Sequence, residues 1–448
     1  MSRLAKALPK KLQRYVIAGV GPISAAIAQF VLSLLLLRLL TPAEFGSFSF
    51  LLVTSFFTAG IWSALFCAPL PVLLNNTASG EREALVRCIF GINILAAVLA
   101  CVMFVGLGLA LGLPAGAAVL FALYAAVFLL RWFARAYSYA TGSRLRTMAS
   151  DLTYSATLLI GIGVLAFWKI ASLQFSYAIL LFSVVAGLLP FGLPYLKRQF
   201  SSFYPRAFAD YLPIWRKHSG WSLMGIVTTE MTVNSHVYIV TLIAGPAAYA
   251  PIAATALMIR PIGVLQNALV EYERAHMAID LAAGRVRAVF RSAMQFRLML
   301  IAVLLATAAA VAAMFVLAPR LIFPAHYPLE TLITGAALWM VVAALRMIRA
   351  PEATMLQAAG AFQRLAWASA AACGFSVAAV LLLVFLLDPL WSIGGIIVGE
   401  AAFCAWIVRQ SLRWRAEVGS GTGNQADGDH SAPPDPLNGL PSKQQQAG

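Results

Sequence analysis

The chain has 448 residues, 61% of them hydrophobic and 11% charged, with a mean hydropathy of +0.84 and a net charge of +15. Soluble domains carry roughly 45–50% apolar and about 25% charged residues, so this composition excludes one. No nucleic-acid motif accompanies the charge, which in so apolar a chain reads as basic residues gathered on one membrane face.

Apolar runs of about 20 residues recur along most of the length, which predicts an all-α polytopic membrane protein. The alternating short segments of a β-barrel are absent. The first run follows a basic N-terminus and is too long for a signal-peptide core, so it reads as an uncleaved span. The expected spans are 15–39, 45–73, 88–112, 116–136, 151–168, 173–195, 221–243, 247–270, 298–318, 331–350, 365–387 and 390–408, twelve in all. With the N-terminus inside, all of the 32 Lys and Arg residues except Arg38, Lys169, Arg260 and Arg320 fall in cytoplasmic segments. That asymmetry predicts both termini in the cytoplasm. The outer connections, such as 113–115 and 244–246, are too short for a catalytic domain, and no nucleophile, nucleotide or metal motif appears. An enzyme is therefore not expected, nor any cofactor. Cys67, Cys88, Cys101, Cys373 and Cys404 lie in or beside apolar runs without metal or redox spacing, and read as small packing residues.

In the first span Gln29 and Ser33 share a face, while Gly19, Gly21 and Pro22 are expected to bend the helix. The span ends in Leu39-Leu40-Thr41-Pro42-Ala43-Glu44-Phe45-Gly46-Ser47-Phe48. Pro42-Ala43-Glu44-Phe45 recurs about two hundred residues later as Pro246-Ala247-Ala248-Tyr249, again between two apolar runs. The matching continues with Leu130-Arg131 and Leu345-Arg346, then with Ala140-Thr141-Gly142 and Ala358-Ala359-Gly360. The chain thus reads as two six-helix lobes, 1–200 and 201–415, followed by a disordered tail, 416–448. Six is even, so the repeat is parallel, with its pseudo-two-fold axis along the membrane normal. Each repeated proline suits the first turn of a helix after a tight loop.

The Leu-Leu-Thr-Pro-x-Glu-Phe-Gly-x-Phe signature resembles the polysaccharide-transporter branch of the multidrug/oligosaccharidyl-lipid/polysaccharide exporter superfamily, the Wzx-type flippases. The resemblance in topology covers about residues 10–412. It implies twelve helices in two lobes of a bacterial inner-membrane protein. It also implies a lipid-linked anionic sugar as substrate, moved from the cytoplasmic to the periplasmic leaflet, with membrane lipids and polysaccharide-assembly machinery as partners. Drug exporters of the same superfamily carry an acidic residue in the first span for cation coupling; here residues 15–40 contain none. The loop NNTASGEREALVR after the second span lacks the signature of a major facilitator.

A charge at mid-membrane costs at least ~2.5–3.5 kcal/mol on insertion scales, so each needs a reason. Glu230 in the seventh span and Arg260 in the eighth lie at similar depth, roughly 13 and 15 Å from the cytoplasmic end at 1.5 Å per residue. They are expected to pair, either structurally or as a phosphate site with its counter-ion. Asn234 shares the face of Glu230, while His236 lies on another face with Thr229 and Thr232. Glu400, in the last span, has no evident partner and reads as an ion-coupling residue or as a neutral carboxyl. Arg131 with Arg135, and Arg346 with Arg349, sit at the cytoplasmic ends of corresponding spans. They suit phosphate oxygens, and they suit ordinary snorkelling. Pro261 is a second flex point. Ion coupling falls to Glu230 and Glu400; a cation-coupled small-molecule exporter on the same fold is the rival function.

Overall fold

The structure is a computed structural model that describes residues 10–76, 81–169, 172–204, 206–216, 220–318, 320 and 323–424. Arg3, Lys6, Lys217 and the tail beyond Asn424 lie outside the described residues.

The first half comprises α1 (Lys10–Leu39), α2 (Pro42–Trp62), α3 (Arg82–Ala110), α4 (Ala115–Ala140), α5 (Arg144–Trp168) and α6 (Leu173–Leu188). The second comprises α7 (Gly220–Ala244), α8 (Pro246–Ala256), α9 (Arg260–Ala282), α10 (Val286–Leu317), α11 (Leu329–Ala358), α12 (Phe362–Leu386) and α13 (Ser392–Asn424). α8 and α9 together form the eighth expected span, interrupted by one 3-10 turn at Leu257–Ile259. Among the described residues eleven helical segments are long and apolar enough to cross a membrane. α7 is not among them, because Glu230, Asn234 and His236 dilute its apolar run. It is nevertheless a 25-residue helix, enough for about 37 Å at 1.5 Å per residue. α13 reaches Asn424, past the expected start of the disordered tail.

The two lobes carry the repeat into backbone detail. Gly142 and Gly360 close α4 and α11 with φ of +79° and +78°. Each is followed by the same tight bond, Ser143 N–H to Ser138 O at 2.7 Å and Ala361 N–H to Leu356 O at 3.0 Å. This is the left-handed helix end that glycine permits at no steric cost. The first lobe is filled with rings: Phe104, Phe121, Tyr124 and Tyr177 are buried and meet edge-on or tilted, with Phe121 and Tyr177 centroids 5.0 Å apart. The second lobe packs through small residues. Ideal Cβ atoms on Gly395 and Gly399 of α13 would lie 2.5 Å from Val380 and Ser376 of α12. Such close backbone approach is how helices associate in lipid, where apolar burial supplies little drive.

Most arginines gather at one end of the bundle, the basic end, where α1 begins and α13 finishes. At the far end the two repeated loops meet. Thr41 and Glu44 form a capping box, Thr41 N–H donating to Glu44 Oε2 at 3.0 Å. A Cβ on Gly46 would fall 1.9 Å from the carbonyl oxygen of Pro246. α2 and α8 are therefore in backbone contact at the far end, each using its own copy of the repeated motif.

Candidate functional site

A cavity of about 840 Å³ lies between the lobes, lined by α1, α2, α4, α5, α7, α8, α9 and α11. Its walls run from the first turns of α2 and α8, at Ser49 and Tyr249, towards the basic end, at Pro22, Arg135 and Arg346. Four arginines line it, Arg131, Arg135, Arg260 and Arg346, against one carboxylate, Asp151. Rings line it as well: Phe30, Phe56, Phe128, Trp132, Tyr154, His236, Tyr249 and Trp339.

Arg131 and Arg135 converge on Asp151 of α5. Arg131 Nη2 meets Oδ1, Arg135 Nη2 donates to Oδ2 at 3.1 Å, and Arg131 also lies over the Tyr154 ring at 4.6 Å. Backbone presses on the cluster from two sides. A Cβ on Gly21 of α1 would lie 2.6 Å from Asp151 Oδ2, and one on Gly187 of α6 would lie 2.8 Å from Arg131 Nε. Arg131 and Asp151 are 3% and 1% exposed, so this is a buried ion pair in which each member depends on the other. Sequence reading had missed Asp151 because the fifth span was taken to begin there. α5 starts at Arg144, which places Asp151 two turns inside the helix.

The second lobe repeats the arginines with a different acid. Glu400 of α13, expected to stand alone, accepts from Arg346 Nε at 2.7 Å and from Arg349 Nε at 3.1 Å. Arg349 also lies over the Phe403 ring at 4.2 Å. The matching of Gly142 with Gly360 puts Ser369 in the place of Asp151; its hydroxyl is 3.0 Å from that of Thr229 on α7. Depth along a helix was readable from sequence, but which neighbouring helix supplies the counter-charge was not. A further buried carboxylate, Glu352, ties α11 to Arg297 of α10 and to Ser411 and Arg415 of α13, Arg415 Nη2 lying 2.9 Å away. It closes the second lobe at the basic end and does not line the cavity.

The expected Glu230–Arg260 pair does not form. Glu230 accepts from Asn234 Nδ2 at 2.8 Å and points towards Gly60 of α2. Arg260 Nη1 instead donates to Ser33 Oγ on α1 at 3.1 Å. The two charges share a depth but not a direction, because the tighter 3-10 turn before Arg260 changes the face it presents. Among the described residues no acidic group is bonded to Arg260. Gln29 donates to Tyr154 Oη at 3.0 Å, and Ser24 and Ser155 hydroxyls lie 3.0 Å apart, so α1 is stitched to α5. Asn234 lines the cavity; Glu230, Arg349 and Glu400 do not. His236 is buried against Tyr249 and Trp339, centroids 6.1 and 5.4 Å away.

No protein-family model matches the sequence, and no curated protein sequence matches it. Solved structures do. An inward-facing multidrug-resistance MATE-family transporter of the MOP superfamily superposes with a TM-score of 0.66 at 11% identity, covering 91% of this chain and 99% of that one. The lipid II flippase MurJ, in an inward closed conformation, gives 0.61 at 9%, covering 93% and 94%. The eukaryotic MATE transporter AtDTX14 gives 0.57 at 16%, covering 90% and 97%. The chain has the two-lobed fold of these proteins over nearly its whole length.

Proposed function

We propose that the protein moves a polyprenyl-diphosphate-linked oligosaccharide, the precursor of an exopolysaccharide, O-antigen or capsule, across a bacterial inner membrane by alternating access between its lobes. The carrying observation is the charge of the cavity. Asp151 answers Arg131 and Arg135, Glu400 answers Arg346 from behind the wall, and Arg260 is left without an acid among the described residues. An unneutralised cation at this depth favours an anionic guest, and a guanidinium fork matches phosphate oxygens. The aromatic walls offer flat apolar faces to sugar rings. Ile23 and Ile27 of α1 and Leu265 of α9 line the cavity yet are themselves exposed, which supports a lipid tail remaining in the bilayer beside α1. The cytoplasmic placement of both termini belongs to this reading.

The rival is a cation-coupled exporter of small molecules, which the likeness to MATE proteins keeps in play. It requires a carboxylate free to meet a cation in the cavity. Asp151 and Glu400 each hold two arginines, which leaves Glu230 for ion coupling, although it lies behind the cavity wall and accepts from Asn234.

Deleting the gene and analysing lipids tests the choice. A cytoplasmic-leaflet polyprenyl-diphosphate oligosaccharide should accumulate and a surface polysaccharide disappear. Wild-type protein should reverse both, and Arg260→Gln, inserted at normal levels, neither. Unchanged polysaccharide with new sensitivity to cationic dyes would transfer the function to the rival.

A further inference from the structure

We infer that Ser33 is an interlobe clasp exchanged for substrate: in the empty protein it holds Arg260, and a diphosphate takes that guanidinium in its place, freeing α9 of the second lobe from α1 of the first. This rests on reading the cavity as a diphosphate site.

Arg260 to Ser33 is a side-chain hydrogen bond that crosses from α1–α6 to α7–α13. Ser33 is 2% exposed; its hydroxyl accepts from Arg260 and donates its proton to Gln29 O at 2.9 Å. A neutral hydroxyl is a weaker partner for a guanidinium than the anionic oxygens of a diphosphate, so the exchange runs downhill once the anion arrives. The backbone beside Arg260 is suited to movement. The 3-10 turn precedes it, and Pro261, with no N–H, follows. The corresponding residue of the first half, Phe56, lies within an uninterrupted α2. α1 would not follow Arg260, because Ser24 and Gln29 bind it to α5. Losing the clasp therefore leaves α1 with the first lobe and frees α9 from α1, while α2 and α8 stay in contact.

The test uses the full chain in lipid nanodiscs, with methylene diphosphonate and a polyprenyl diphosphate as probes. Ser33→Ala should bind the probe roughly tenfold more tightly, the equivalent of one charge-assisted hydrogen bond no longer competing. Ser33→Thr should restore the wild-type constant, and Arg260→Gln should abolish binding. Spin labels on cysteines replacing Leu109 and Leu242, exposed near the far end of each lobe, should shift in separation when probe is added to wild type. In Ser33→Ala the shifted population should appear without probe. Binding of the lipid probe alone keeps the proposal and makes a lipid headgroup the ligand; binding of both keeps it and makes the diphosphate sufficient. A weakened or unchanged constant in Ser33→Ala overturns the exchange and leaves the flippase reading standing. If neither probe binds wild type, both fall.

Discussion

Asp151 shows what a single side chain has to do inside a membrane. It is 1% exposed and meets Arg131, itself 3% exposed, and Arg135. Removing one partner of a buried pair leaves the other desolvated and uncompensated, at a cost of about 3–5 kcal/mol. Asp151→Asn should therefore lower stability by that order, read as the thermal unfolding of detergent-solubilised protein. Arg131→Leu/Asp151→Leu, which removes both buried charges, should recover part of the loss. An Asp151→Asn protein as stable as wild type would mean that the pair contributes little and that Arg131 is already free for a ligand. The arginines of this cluster were legible from sequence because they recur at Arg131 and Arg346. Their acids were not, because Asp151 lies on α5 whereas Glu400 lies on α13, so the repeat conserves the cation and not its partner.

Helix order, the repeat and the position of its loops follow from hydropathy and from the proline motifs, since these depend on distance along the chain. Rotation about a helix axis does not. The Glu230–Arg260 pair is expected from matched depth and fails on azimuth, through one 3-10 turn beside Pro261; the proline marks a flex point but not the rotation it brings. In sequence each repeated proline suits a helix start after a tight loop. The two copies of the motif also cross, Gly46 of α2 against the Pro246 carbonyl of α8. A glycine there is required because a Cβ 1.9 Å from a carbonyl oxygen overlaps backbone, which has no rotamer to escape into. Gly46→Val should force α2 and α8 apart at the far end. In a cysteine-free background carrying Ser49→Cys in the cavity wall, a membrane-impermeant thiol reagent added from the far side should label the valine variant much faster than its glycine parent. Equal rates would show that the contact does not close the cavity on that side.

For the whole molecule, the direction of transport depends on which side the basic end faces. At the far end α2 meets α8, while the lining of the cavity extends to Arg135 and Arg346 near the basic end. On the proposed reading an anion would enter from the basic side, past arginines that would draw it in. On the same reading that side faces the cytoplasm, where lipid-linked sugar units would be collected before export. Alkaline phosphatase, active only outside the cytoplasm, reports this directly. Fused after residue 113, in the turn between α3 and α4, it should be active; fused after residue 416, it should be silent, and green fluorescent protein at the same point should glow. The reverse pattern would turn the cationic cavity towards the periplasm. The same geometry would then describe uptake of an anion from outside, and the flippase reading would lose its direction along with its substrate.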